Sequence, residues 1–269
     1  MTSPASGSVS FQRVALKHAS DASQCWHAGI AAPIGAQAGL ISIIVPVFNE
    51  AALIKSCLTN LRQHAPGAEI VVVDGGSTDG TPRLAADLCD QLITTVCHRA
   101  AQMNTGARVA HGDVLWFLHV DVEIPPQCSR EIIRRLNDPR VAGGYFRIRL
   151  PRDRFIYRLV DDVAHYTGWL LRIRCGDHGL FCRRAVFDKL GGFPDVPLME
   201  DVDFFRAMHR GGRVCVIADR ILPSVRRYES IGPARLTFAY GVIAGLYALG
   251  VSRRVLCSLY DRLCNRRRN

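Results

Sequence analysis

Lysine is nearly absent from this chain. Lys17, Lys55 and Lys189 stand alone in 269 residues, so arginine supplies almost all of the 34 basic side chains. No two cysteines form a Cys-x-x-Cys pair. Cys25, Cys57, Cys89, Cys97, Cys128, Cys175, Cys182, Cys215, Cys257 and Cys264 are scattered, mostly beside apolar neighbours. That excludes the disulfide framework of a small secreted domain, and it predicts reduced thiols packed as small hydrophobes in a cytoplasmic setting. The apolar stretch Leu236–Val251, bounded by Arg235 and Arg253, falls short of the roughly 20 residues that span a bilayer. It predicts a buried or interfacial helix. The N-terminus lacks the charged start and apolar segment of a secretory signal. No repeat with a period of roughly 20–50 residues is present, which excludes solenoids and propellers.

What is present suits a globular protein: 48% apolar and 22% charged residues. The formal charge is +10, carried on the planar guanidinium that pairs bidentately with phosphate and carboxylate. An anionic ligand or surface accounts for it, and so does an arginine-rich genome. From Arg220 onward ten arginines face only Glu229 and Asp261. The basic tail after an apolar helix suits peripheral contact with an anionic membrane face. A solvated terminus explains the charge equally well.

Residues 1–39 are rich in Ala, Ser and Gly, hold a single acid, Asp21, and are expected to form a disordered extension. Residues 40–230 read as one α/β domain and residues 231–269 as a helical, basic tail. The run Leu40-Ile41-Ser42-Ile43-Ile44-Val45-Pro46-Val47 has the continuous β-branched character of a strand buried on both faces. Leu53, Ile54, Cys57, Leu58 and Leu61 then recur at helical spacing. Further strands are predicted at Glu69–Asp74, Leu92–Val96 and Gly112–Asp121, with helices between them. This alternation predicts an open, mainly parallel sheet flanked by helices, with right-handed crossovers. In such sheets ligands bind beyond the carboxyl ends of the strands. Here those ends carry Asn49-Glu50, Asp74 and His119-Val120-Asp121.

Residues two apart in an extended chain share a face, so His119 and Asp121 could together meet a cation. A turn cap is the plainer use of an Asp at a strand end. In Met199-Glu200-Asp201-Val202-Asp203 three acids open a helix, where the macrodipole favours carboxylates. The same acids could supply a general base that takes a proton from a hydroxyl. Spacing alone does not separate the two roles. The arginine-dense segment Arg147–Arg174 suits either a solvated face or a basic patch beside the site.

Four motifs occur in order: Val45-Pro46-Val47-Phe48-Asn49-Glu50, Val72-Val73-Asp74-Gly75-Gly76-Ser77-Thr78-Asp79-Gly80-Thr81, His119-Val120-Asp121 and Met199-Glu200-Asp201. Together they resemble the family 2 glycosyltransferases of the GT-A fold, over residues 40–230. The run Arg99-Ala100-Ala101-Gln102-Met103-Asn104-Thr105-Gly106-Ala107 and the Asp-Gly-Gly-Ser turn look like the small bacterial transferases labelled radical-SAM/selenodomain-associated.

The resemblance implies a nucleoside-diphosphate sugar as donor and Mg²⁺ or Mn²⁺ as cofactor. Pro46, Asn49 and Glu50 would line the nucleotide pocket, Asp74 would close it, and Ser77 and Asp79 would belong to it. Arg99 and Asn104 would reach the sugar or the diphosphate. Asp121 matches the last acid of the family's Asp-x-Asp motif, which holds the metal, and His119 would be a further ligand or contact the sugar. Asp201 matches the catalytic base of inverting members, with Glu200 beside it. Asp177 and His178 fall where such enzymes meet the acceptor, and Arg226 and Arg227 are candidates for phosphate. The acceptor would be small or lipid-linked.

Two positions depart from the family pattern. Gly75 stands where a second acid usually follows Asp74, so recognition of the base does not carry over. His119 replaces the first acid of Asp-x-Asp, and imidazole is a poorer ligand for hard Mg²⁺ than for Mn²⁺. The Gln-x-x-Arg-Trp signature of processive members is missing at Ser224-Val225-Arg226-Arg227-Tyr228. A nucleotidyltransferase would show a glycine-rich phosphate loop after the first strand, and a non-catalytic sugar-nucleotide binder would have lost Asp121 and Asp201. Nucleic-acid binding has no base-reading motif behind it.

Overall fold

The computed structural model describes residues 39–149 and 173–264. Strand β1 (Ile41–Val47) alternates its side chains between two cores. Ile41, Ile43 and Val45 pack with Ile54, Leu58 and Leu61 of helix α1 (Ile54–His64). Ile44 turns the other way, onto Ala100, Met103 and Ala107 of helix α3 (Arg99–Val109). Strand β2 (Glu69–Asp74) repeats the pattern, with Ile70 and Val72 on the α1 side and Val71 and Val73 on the α3 side. A strand covered on both faces is apolar along nearly its whole length, which is why these runs are continuous rather than alternating, and the buried Ser42 and Glu69 satisfy one another.

Helix α2 (Thr81–Ala85) leads to β3 (Gln91–Thr94), and α3 leads to β4 (Val114–Phe117). There follow β5 (Val122–Glu123), α4 (Cys128–Leu136), β6 (Val141–Ile148), a 3₁₀ turn (Gly176–His178), β7 (Phe181–Arg183), α5 (Arg184–Leu190), α6 (Glu200–Gly211) and β8 (Arg213–Pro223). Three helices close the described chain: α7 (Arg226–Ile231), α8 (Pro233–Ala248) and α9 (Arg253–Cys264). The sheet order is β3-β2-β1-β4-β7-β6-β8-β5. The β3-β2-β1-β4 half is parallel, with Ser42 opposite Glu69 and Ile43 opposite Trp116. The other half is mixed. β7 runs antiparallel to β4 and β6, β6 is parallel to β8, and β5 is antiparallel to β8. The open α/β sheet expected from the sequence is therefore present, its parallel half continued by a half of mixed pairing.

Some boundaries move. The third strand covers Gln91–Thr94 rather than Leu92–Val96. The fourth ends at Phe117, so His119 and Asp121 lie in a turn closed by the Val122 N–H donating to the His119 carbonyl at 3.2 Å. The extended-strand argument for their shared face therefore does not apply. The apolar stretch at 236–251 becomes α8, which starts three residues earlier on Pro233, a residue suited to the first helical turn. Among the described residues no helix is long and apolar enough to cross a membrane, and nine cysteines are free. The N-terminal extension and most of the Arg147–Arg174 segment lie outside the described residues.

An aromatic cluster sets α6 against the sheet. Phe117, at the end of β4, meets Phe193 edge-on at 4.8 Å, and Phe193 lies 4.3 Å from Phe204 of α6. Buried rings of this kind contribute about 2–3 kcal/mol each. They bring the acidic N-terminus of α6 to the carboxyl edge of the parallel strands.

Candidate active site

Three strand ends meet at this edge. After β1 the chain turns through Asn49, held at φ 54°, a conformation rare outside glycine. The Asn49 N–H donates to Ser77 Oγ at 2.8 Å, and its side-chain oxygen accepts from the Thr78 N–H at 2.9 Å. The Ala51 N–H donates to Asp79 Oδ2 at 2.9 Å, and the Glu50 N–H to Thr81 Oγ1 at 2.9 Å. Asp74, fully buried, accepts the Gly76 and Ser77 N–H groups at 2.9 Å and the Ser77 hydroxyl at 2.5 Å. Through these bonds Asn49, Asp74, Ser77 and Asp79, the residues the resemblance assigns to the nucleotide pocket, lace two loops into a wall. Pro46 sits opposite Val73 in β1, half-buried.

Beneath this wall is a residue that the sequence did not single out. Gln102 of α3 is 4% exposed, and its amide nitrogen donates to the carbonyls of Val47 and Val73, both at 2.8 Å. It ties the carboxyl ends of β1 and β2 together. It also explains Gly75: a Cβ there would lie 3.1 Å from Cys97 Cα and 3.3 Å from Gln102 Nε2. The available signal was a lone polar residue on the Ala100-Met103-Ala107 face.

The third strand end carries a connected set of ionisable groups. His119 Nδ1 pairs with Asp177 Oδ1 at 2.8 Å, bringing the turn after β4 to the 3₁₀ turn. His119 Nε2 is buried against Gly176 and has no hydrogen-bond partner among the described residues. Burial works to raise Asp177, but the bond from His119 and the charges of His119, Arg99 and His178 hold it down at about 2. Burial and the Asp177 charge push Asp121 upward, partly offset by His119 and Arg226. Asp121 and Asp177 therefore lie near enough for their charges to oppose one another.

Glu200 and Asp201, 5% and 7% exposed, open α6 just after Met199, whose φ of 67° is another left-handed non-glycine conformation. Strain of this kind concentrates at functional sites. The Gly176 N–H donates to Asp201 Oδ2 at 2.6 Å, and Arg99, the first residue of α3, stands 3.8 Å from Glu200. Burial and the neighbouring Glu200 push Asp201 up to about 6, against the pull of Arg99, the Gly176 amide and His119. A carboxylate raised toward neutrality is a competent proton acceptor at physiological pH.

The remaining expected residues divide. Arg226 pairs with Glu50 at 3.4 Å, joining the start of α7 to the loop after β1. Arg227 lies over the Tyr260 ring at 5.4 Å. Asn104 holds the loop at Phe193: its amide donates to the Phe193 carbonyl at 2.8 Å and accepts the Phe193 N–H at 2.9 Å. His178 donates through Nδ1 to the Phe146 carbonyl at 3.1 Å and lies edge-on to Tyr145, so it faces β6 and diverges from Asp177.

Residues 42–190, more than half of the chain, match the family model Glycosyl transferase family 2. The chain belongs to that family. This family 2 glycosyltransferase is similar to the mannosyltransferase PcManGT of Pyrobaculum calidifontis, solved with GDP-Man and Mn²⁺. They share 25% identity at a TM-score of 0.59, over 84% of this chain and 70% of that one. Staphylococcus aureus TarS 1-349, solved with UDP-GlcNAc, shares the fold at a TM-score of 0.57 and 16% identity, over 84% of this chain and 72% of TarS. Among curated proteins, "Uncharacterized protein MT1568" of Mycobacterium tuberculosis is 27% identical over 71% of this chain and 68% of its own length. The undecaprenyl-phosphate 4-deoxy-4-formamido-L-arabinose transferase of Aeromonas hydrophila is 28% identical over 39% of this chain. That match spans 34% of the relative. The parallel half of the sheet, the Asp121 turn and the Asp201 helix are thus elements of a GT-A glycosyltransferase.

Proposed function

We propose that this enzyme moves a glycosyl group from a nucleoside-diphosphate sugar to a hydroxyl of a small or lipid-linked acceptor, one sugar per encounter and with inversion. The observation that carries the reading is Asp201. It is a buried carboxylate, fixed by the Gly176 amide at 2.6 Å and raised to about 6, at the edge where donors bind in such sheets. Asp201 would accept the acceptor's proton as the oxygen attacks the anomeric carbon. Glu200 keeps Arg99 beside the base, and Arg99, half exposed, can direct its remaining donors to a phosphate.

Among the described residues no three His, Cys, Asp or Glu side chains gather into a self-sufficient metal site. Asp121, with Asp177 close enough for their charges to oppose one another, would hold a divalent cation, Mg²⁺ or Mn²⁺. When bound it would neutralise charge on the departing nucleoside diphosphate. His119 positions Asp177 through Nδ1 rather than ligating. The base of the nucleotide stays unassigned, since Gly75 removes the acid that would have read it. A lipid-linked acceptor is supported by the partial likeness to an undecaprenyl-phosphate transferase.

The test is a thermal-shift panel of nucleoside diphosphates and their sugars, each with and without Mn²⁺ or Mg²⁺. A ligand at about one hundred times its Kd stabilises by about 2.7 kcal/mol, or roughly 5–10 °C for a domain of this size. The expected result is a metal-dependent shift with one nucleotide family, absent in Asp121→Ala. No shift with any nucleotide would overturn the donor assignment. Retention of anomeric configuration in the product, read by NMR, would overturn inversion.

A further inference from the structure

The C-terminal helices carry a face that the catalytic reading does not use. One side of α8 is spent inward: Leu236, Ala239 and Ile243 are buried, and Ile243 packs with Met199 and Val202 beside the catalytic acids. Asp203 of α6 clamps the pair, accepting from the Tyr247 hydroxyl and from Arg253, which also donates to the Leu198 carbonyl at 2.5 Å. The opposite side of α8 is open among the described residues. Phe238, Val242, Gly245 and Leu249 follow one another at four, three and four residues, the spacing of a single stripe. Phe238 is 69% and Leu249 81% exposed, and a Cβ added at Gly241 or Gly245 would meet nothing within 4 Å.

Apolar side chains this exposed are flanked mainly by arginine, Asp261 being the single acid in the sequence of α8 and α9. Arg235 lies on the same stripe as Phe238, and both are exposed. On α9, Arg254, Val255, Ser258, Leu259 and Arg262 line a shallow groove of about 300 Å³, with Val255 52% exposed. Neither Arg254 nor Arg262 forms an ion pair among the described residues. We infer that the outer faces of α8 and α9 dock onto an anionic lipid bilayer, with Phe238, Leu249 and Val255 entering the headgroup region and Arg235, Arg254 and Arg262 meeting lipid phosphates. A protein partner large enough to cover this stripe would have to complement guanidinium groups at both ends of it. A bilayer offers apolar depth and negative charge together. The clamp on Asp203 would then hold the catalytic helix at a fixed height above the membrane, where a lipid-linked hydroxyl is found. The inference stands on this surface alone and does not require the proposed donor or base.

The test is co-sedimentation of the full chain with phosphatidylcholine vesicles, with and without phosphatidylglycerol at about three lipids in ten. Phe238→Asp with Val255→Asp, Arg254→Glu with Arg262→Glu, and a chain ending at Cys264 are compared with the parent. The expected result is binding only to the anionic vesicles, released between about 0.1 M and 0.5 M salt. Each pair of substitutions should lower the bound fraction at least about tenfold, while the shortened chain still binds. All these side chains are exposed, so unchanged thermal midpoints will show that the variants fold. Absence of binding to anionic vesicles would overturn the inference. So would binding indifferent to both pairs, binding lost entirely with residues 265–269, or light scattering showing a dimer that the Phe238 variant dissolves.

Discussion

The main-chain N–H of Gly176 donates to Oδ2 of Asp201 at 2.6 Å, and this bond joins the 3₁₀ turn to the start of α6. The same glycine lies against the His119 ring, where a Cβ would fall 2.7 Å from Cε1 and closer still to Nε2. Gly176→Ala should therefore push His119 off Asp177 and tilt the turn away from Asp201. We expect transfer to fall about 100-fold, the scale for a misplacement of about 1 Å. The destabilisation should be about 1–3 kcal/mol. Initial rates and thermal midpoints of purified protein check both, and full activity in the variant would remove Gly176 from the site.

Asp201→Asn should separate catalysis from stability. With the proton acceptor gone, transfer should drop roughly 100- to 10,000-fold. The folded-state pKa of about 6 lies above the ordinary 3.8, so the native protein holds this proton more tightly than the unfolded chain. Ionising Asp201 therefore costs stability, increasingly as pH rises from about 4 to 6 and fully above that. At pH 8 the Asn variant should unfold at the same temperature as the parent or higher, and the difference should shrink toward pH 4. The parent's rate should decline as pH falls through about 6, because the base becomes protonated. A variant less stable at pH 8 would contradict the assigned burial.

Glu69 should behave in the opposite sense. It lies at the far end of β2 from the site, 9% exposed, and it accepts from Ser42, from the His111 main chain at 2.8 Å and from Gln91 at 2.7 Å. Burial pulls its pKa up, but these bonds prevail and lower it from 4.5 to about 2. Its contribution is thus complete above pH 4.5 and lost as pH falls toward 2. Glu69→Ala should cost on the order of 2–3 kcal/mol at pH 7 by urea unfolding. The cost should fade in acid, and the specific activity of the folded fraction should not change.

Restoring the family's usual acid at position 75 should not restore base recognition. The Cβ of Gly75→Asp would press on Cys97 Cα at 3.1 Å and on the Gln102 amide at 3.3 Å. The expected result is a loss of about 1–3 kcal/mol of stability and no gain in nucleotide affinity. Tighter uridine nucleotide binding by calorimetry would show that Gln102 yields and that the pocket can take the acid.

How far the sequence reached depends on which forces decided each element. The strand at Glu69–Asp74 was legible to the residue, because a strand buried on both faces admits few polar residues inside it. The third strand was legible only approximately, because as an edge strand it is half exposed and β-branched residues continue past its end. The acids at 200, 201 and 203 were legible as a cluster, but their roles were not. Asp201 is a buried carboxylate held by the Gly176 amide, whereas Asp203, two residues on, is a clamp for Tyr247 and Arg253. Helical spacing places them on different sides of α6, and only the packed neighbours reveal what each side meets.

What the sequence determined by itself is local and periodic: the alternation of buried strands and helices, the carboxyl-edge position of the polar motifs, and membership of a family whose motifs are short and ordered. What the tertiary structure alone decided is where polar atoms spend their hydrogen bonds. Asn49, Asp74, Ser77, Asp79 and Asn104 carry the motif letters of ligand contacts and bond to one another or to the Phe193 main chain. Asp177, 58 residues from His119, becomes its partner across the sheet edge. A buried donor or acceptor must find a partner within about 3 Å, and which partner lies there depends on chain segments far apart in sequence.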